Sequence, residues 1–153
     1  MKTIATLLRD HPFFAGLPPA YLDLIASCGK NAHFQTGDFL MREGEAANTF
    51  YVIRSGKAVV EAYTPGFGHQ IVTQVDHHGV IGYSWLFPPY RVAFDVRAIE
   101  PVSAVQLDGL CLRNKAEADH ELGYQLMQRF AQVMLQRLQA TRVQMLDVYR
   151  KGN

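Results

Sequence analysis

Residues 43–58 read Glu43-Gly44-Glu45-Ala46-Ala47-Asn48-Thr49-Phe50-Tyr51-Val52-Ile53-Arg54-Ser55-Gly56-Lys57-Ala58. Gly44 lies among small and charged residues suited to a tight turn, where a residue without Cβ takes a positive φ at little cost. From Thr49 to Ile53, β-branched and aromatic residues follow one another as in a strand, with Phe50 and Ile53 as candidates for the core. Ser55-Gly56 ends that strand and opens a hairpin into Ala58-Val59-Val60. Outward from this stretch, between Lys30 and Val80, the helical period is missing. Short strand-like runs alternate with turns at Gly37-Asp38, Glu43-Gly44-Glu45, Ser55-Gly56 and Pro65-Gly66-Phe67-Gly68. Turns at this spacing predict a mainly β domain, an antiparallel β-roll or jelly roll.

A second stretch runs from Gly79 to Ala98: Gly-Val-Ile-Gly-Tyr-Ser-Trp-Leu-Phe-Pro-Pro-Tyr-Arg-Val-Ala-Phe-Asp-Val-Arg-Ala. Its glycines permit close backbone approach, and Ser84 is placed to cap a short helical turn whose free N–H groups attract anions. Pro88-Pro89 cannot continue that turn. Beyond Arg91, Val92, Phe94, Val96 and Ala98 alternate with Ala93, Asp95 and Arg97, which predicts a half-buried strand. A concave anion site seated against a sheet is the expectation.

The two stretches together resemble the cyclic nucleotide-binding domains, the sensor modules of bacterial catabolite activators, cyclic-nucleotide-dependent kinases and gated channels. In that family a glycine-glutamate pair opens the short helix of a phosphate-binding cassette, and an arginine closes it before a strand ending in alanine. The resemblance implies a ligand site at Gly82, Tyr83, Ser84, Trp85, Leu86, Arg91 and Val92, taking a cyclic nucleotide (cyclic AMP or cyclic GMP) or a related small molecule. Tyr83 stands where the family has glutamate. Arg91 is the only candidate for the cassette arginine, and counting back from Ala98 places Val92 at that position instead. Because side chains change face at every strand residue, Arg91 is expected to point away from the pocket unless a bulge or the Pro-Pro turn re-aims it. On the surface it could pair with Asp95 or Asp76. A pocket of Tyr83, Trp85, Val92 and Phe94 is more apolar than a cyclic nucleotide wants, so cyclic AMP binding is expected to be weak or absent. A modified nucleotide, a more apolar effector or no ligand all stay open.

The flanks are helical. Ile4, Leu7 and Leu8 mark a short helix, His11-Pro12-Phe13-Phe14-Ala15-Gly16-Leu17-Pro18 breaks it, and a second helix begins near Pro18-Pro19 and stops before Gly29. Asp108 is placed to cap a helix that ends before Ala118-Asp119-His120. From Glu121 to about Arg150 the chain lacks proline and, after Gly123, glycine, which predicts one long helix. Met127, Ala131, Met134, Leu138, Thr141, Met145 and Val148 recur at intervals of four and three, the seam of a two-stranded coiled coil, while Leu126, Phe130, Val133 and Leu135 are left to cover the sheet. The expected organisation is one domain, with N-terminal helices over 1–29, a β-roll over 30–107 containing the cassette at 79–98, and C-terminal helices over 108–150. The seam predicts a homodimer through helix 121–150, and the resemblance agrees, since the corresponding helix of the activators joins subunits and lids the pocket. Those activators carry a winged helix-turn-helix beyond this helix, for which the sequence supplies no residues, so DNA recognition of that kind is not expected.

With 153 residues, 48% hydrophobic and 19% charged, the chain is large enough for one proper core. Fifteen basic and fourteen acidic residues give a formal charge of +1, so no global field points toward nucleic acid or an anionic membrane. Cys28 and Cys111 are too few for a disulfide framework and read as free, buried thiols in a reducing compartment. With no signal peptide or membrane span evident at the N-terminus, a cytoplasmic protein is expected. Six histidines invite comparison with cupin-like metal enzymes, but those use a His-x-His pair, and the adjacent His77 and His78 would point to opposite faces of a strand. The reading that results is a non-enzymatic regulatory sensor acting on an unidentified partner protein. Its rivals are a structural dimerisation module whose pocket is filled by its own aromatics and a cupin-like metal enzyme.

Overall fold

The computed structural model describes residues 2–151. Helix α1 (Ile4–Arg9) starts where the Thr3 hydroxyl accepts from the Thr6 N–H. A three-residue 3₁₀ turn, Pro12–Phe14, follows the break at His11. Helix α2 (Pro19–Ala26) opens on a proline whose missing N–H would have had no partner in the first turn. Eight strands come next: β1 (Gly29–Phe34), β2 (Phe39–Met41), β3 (Thr49–Ser55), β4 (Ala58–Thr64), β5 (Gly68–Val75), β6 (Val80–Ile81), β7 (Asp95–Ala98) and β8 (Val102–Asp108). They form two antiparallel four-stranded sheets, ordered β1-β8-β3-β6 and β2-β7-β4-β5, which is the expected jelly roll with flanking helices. The β3–β4 hairpin depends on Gly56. Its φ is 87°, and a Cβ there would lie 2.0 Å from the carbonyl oxygen of Pro101.

Phe50 and Ile53 of β3 are fully buried, as their positions imply. Around Phe50 an aromatic cluster forms that local pattern does not reveal. Phe13 and Phe14 from the 3₁₀ turn, Trp85 from the second stretch and Phe130 from the long helix meet there, with Phe50–Phe130 centroids 4.8 Å apart and Trp85–Phe130 centroids 5.6 Å apart. Edge-to-face contacts of this kind add to the large apolar area each ring buries.

Several expectations are corrected. Strand β7 begins at Asp95 rather than Val92, because Val92 exchanges backbone hydrogen bonds with the Gly44 turn (Gly44 N–H to Val92 O, 2.9 Å; Val92 N–H to Glu45 O, 2.9 Å) and does not enter the sheet. Cys28 and Cys111 are not free thiols but a disulfide across 83 residues of sequence. The pairing of β1 with β8 brings the Cys28 carbonyl onto the Asp108 N–H (2.9 Å), so the first turn of the next helix sets Cys111 beside Cys28. With it goes the inference from thiols to a reducing compartment. His77 and His78 lie in the turn between β5 and β6, not on a strand, with ring centroids 3.8 Å apart. Among the described residues no three His, Cys, Asp or Glu side chains are grouped to hold a metal.

Asp108 caps helix α3 (Gly109–Ala118) by accepting from the Cys111 N–H at 2.8 Å. Asp119, in extended conformation, separates it from helix α4 (His120–Lys151), whose first turn it caps through Oδ1 to the N–H groups of Glu121 and Leu122. The buried stripe of α4 is Leu122, Leu126 and Phe130, continued by half-buried Val133 and Met134. Leu135, expected on the sheet, is 52% exposed, because the nine residues from Leu126 to Leu135 are two and a half helical turns and place it on the opposite face. Among the described residues no helix is long and apolar enough to cross a membrane.

His11 is the buried polar residue of this fold whose ring is incompletely matched. Its Nδ1 accepts from the Phe13 N–H at 3.2 Å, while Nε2 has no partner among the described residues. Burial pushes its pKa below the ordinary 6.5, and nearby His78 and His77 push the same way against the carbonyls of Gly79 and Ile53. The unfolded chain therefore binds the proton first as pH falls, so His11 favours folding above about pH 6.5 and that contribution is lost on acidification. Asn at this position keeps a capping oxygen without a titrating ring. The melting temperature of His11→Asn is expected to fall less than that of the wild type between pH 7.5 and 5.5, measured by circular dichroism.

Candidate functional site

The cassette is built by one backbone event. At the end of β6, Gly82 takes φ 97°, and a Cβ there would lie 2.5 Å from Met41 Cε and 2.8 Å from the Thr49 carbonyl oxygen. The chain turns out of the sheet at this point and Ser84–Leu86 form a single 3₁₀ turn. Tyr83, not Ser84, holds the N-cap position, and it makes no side-chain capping bond. A turn of three residues has neither the length nor the aligned free N–H groups of an anion-binding helix terminus.

Within that turn Trp85 is directed inward. It is 1% exposed, stacks on Phe50, and its Nε1 donates to the Gly82 carbonyl at 3.2 Å. Its own carbonyl accepts from Arg113 of α3 at 3.0 Å. Leu86 also packs on the core. Neither Trp85 nor Leu86 lines the adjoining cavity; both side chains pack on the core. Arg91 lies outside the cavity as well; it is exposed and its backbone bridges to Ala46. It makes no ion pair with Asp95 or Asp76 among the described residues, and Asp95 instead accepts from the Glu43 N–H at 2.8 Å.

The cavity itself holds about 290 Å³ and opens between the sheet and α4. Gly82, Tyr83 and Ser84 form one wall, Val92, Ala93 and Phe94 a second, the sheet residues Met41, Val60 and Ile81 the floor, and Met134, Arg137, Leu138 and Thr141 of α4 the roof. Of the sequence-expected site residues, the fold brings Gly82, Tyr83, Ser84 and Val92 together here. The aromatic residues do not fill this space.

Arg137 is the residue that sequence reasoning missed. It is half-buried, donates through Nη2 to the Val80 carbonyl, and its guanidinium carbon lies 5.7 Å from the Tyr83 ring centroid. Burial pushes its pKa down, with Tyr83 acting in the opposite sense. A guanidinium nonetheless stays protonated at neutral pH. The signal was present in the sequence: Arg137 stands seven residues after Phe130, two helical turns along the stripe that faces the sheet, where a charged residue calls for explanation.

Residues 31–119 match the family of cyclic nucleotide-binding domains. This chain belongs to that family. A crystal structure from Geobacter metallireducens GS-15, described as a cyclic nucleotide-binding protein, is 29% identical with a TM-score of 0.80, covering 90% of this chain and 99% of that one. A cyclic nucleotide-binding domain from Methylobacillus flagellatus KT superposes with a TM-score of 0.79 at 17% identity over 95% of this chain and 82% of that one. In sequence, cGMP-dependent protein kinase 2 of Homo sapiens is 34% identical over 59 residues, which is 39% of this chain and 8% of the kinase. The chain thus carries the jelly-roll regulatory sensor fold of the cyclic nucleotide-binding domains.

The Gly82 turn is expected to tolerate no side chain. Gly82→Ala adds the penalty of a left-handed non-glycine residue, about 1–2 kcal/mol, to the contact with the Thr49 backbone. A destabilisation of about 2 kcal/mol or more in urea-induced unfolding is expected.

Proposed function

We propose that this domain is a non-enzymatic, dimeric sensor in which a small effector occupies the cavity between the cassette and α4 and is read out through that helix. One observation carries the reading: Gly82–Ser84 and Arg137–Thr141 face each other across the same space, so any occupant touches cassette and helix together. An occupant that prefers one arrangement of α4 shifts the population toward it. The resulting change in the helix surface is presented to a regulated protein partner. Gly82, Tyr83, Ser84 and Val92 are the proposed contacts from the roll.

The dimer is proposed through the seam of α4. Leu138, Met145 and Val148 are 56%, 52% and 70% exposed, and Met127 is 40% exposed, an apolar row that pairing with a second copy would cover. Leu138 belongs both to that row and to the cavity roof, which ties occupancy to the subunit contact.

Cyclic AMP and cyclic GMP are expected to bind weakly. Tyr83 cannot supply the carboxylate that reads the ribose in the family, and a lost hydrogen bond to a charged group is worth about 1.5–3 kcal/mol, roughly 10- to 150-fold in affinity. In calorimetric titrations Tyr83→Glu should gain about tenfold for cyclic AMP over the wild type, and Arg91→Ala should change nothing. Tight wild-type binding that disappears in Arg91→Ala would place the ligand elsewhere. By analytical ultracentrifugation the wild type should sediment as a dimer and the double variant Met145→Glu/Val148→Glu as a monomer; a monomeric wild type would overturn the seam.

A further inference from the structure

The cavity roof carries a cation with no counter-charge. Its lining is apolar apart from Thr73, Tyr83, Ser84, Arg137 and Thr141, and contains no Asp or Glu. The Thr141 hydroxyl is already engaged, donating to the Arg137 carbonyl at 2.9 Å. Arg137 itself makes no ion pair among the described residues, where the pairs run Lys2–Asp10, Arg9–Asp10, Lys57–Glu100, His69–Glu61 and Arg97–Glu61. Asp76, the acid that lines the groove on the other side of Arg137, accepts from the His78 N–H and makes no ion pair with Arg137 among the described residues. A guanidinium has five N–H donors in a planar fork; one goes to the Val80 carbonyl and another reaches the Tyr83 side chain, which leaves the rest of the fork for a ligand. A half-buried cation in apolar surroundings gains most from an anion brought in with the ligand, and a carboxylate matches the fork with two parallel bonds.

We propose that the effector is a small amphipathic monoanion, an apolar monocarboxylate whose charge is taken by Arg137 of α4 and whose hydrocarbon body lies against Met41, Val92, Phe94 and Met134. This rests on the cavity being the effector site. It assigns the charge-reading role to the helix rather than to the cassette, whose single 3₁₀ turn cannot cradle an anion. A cyclic nucleotide also carries one negative charge, but it brings ribose hydroxyls and base edges for which this lining has few partners.

Octanoate and 1-octanol separate the charge from the hydrocarbon, since they share a chain of the same length. Isothermal calorimetry of the full chain with octanoate, 1-octanol and cyclic AMP should find octanoate bound about 10- to 100-fold more tightly than the alcohol. Arg137→Gln should erase that preference and leave 1-octanol unchanged. Arg137→Lys keeps the charge but loses the fork, so it should retain part of the preference, and it serves as the test if the Gln variant melts early. Equal binding of acid and alcohol by the wild type, or an octanoate preference indifferent to both variants, would overturn the role of Arg137 while leaving the cavity reading intact. Cyclic AMP bound more tightly than octanoate would overturn the ligand class alone. No binding of any of the three would overturn both the ligand class and the cavity as the effector site.

Discussion

The ring of Trp85 is the contact on which the arrangement of the site depends. It stacks on Phe50 of β3, meets Phe130 of α4 edge-on, bonds through Nε1 to the Gly82 carbonyl, and has its own carbonyl held by Arg113 of α3. Sheet, cassette and both C-terminal helices converge on one buried side chain. Once the cassette turn is anchored this way, its inner face is spent on the core. Only Gly82, Tyr83 and Ser84 remain to line a cavity, on the side that looks toward α4.

That anchoring redistributes the chemistry of the site. The roll supplies Met41, Val60, Ile81 and Phe94, which are apolar, and the helix supplies the cation. In the proposed function, a ligand held by α4 would bias that helix directly, with no intermediate loop to relay the change. In a fold whose cassette held the charge, the same coupling would require the cassette to travel toward the helix. Here the helix and the charge are one body.

Much of the fold was legible because its determinants are local. The turn at Gly44, the strand from Thr49 and the hairpin at Gly56 each announce themselves within a few residues. The failures share a different cause. Cys28 and Cys111 meet only because β1 pairs with β8, a relation across the whole sheet that no spacing encodes. Strand parity placed Arg91 outside correctly in direction, yet Val92 to Phe94 are not strand, so the face that each residue takes is set by bonds to the Gly44 turn. Trp85 looked available for a ligand because the positive φ at Gly82 decides which way the next turn faces. Arg137 was overlooked because an arginine on a long helix is normally solvated, and its location over the cavity follows from the crossing of α4 over β6.

The link between Cys28 and Cys111 has a mechanical meaning. It fastens the point where the chain enters the sheets to the first turn after it leaves them, so the roll becomes a closed loop with two arms rooted at one spot. One arm carries Phe13 and the other Phe130, whose rings touch at a centroid distance of 5.0 Å. The two arms are therefore fastened at their root by the disulfide and packed on each other again partway along their length.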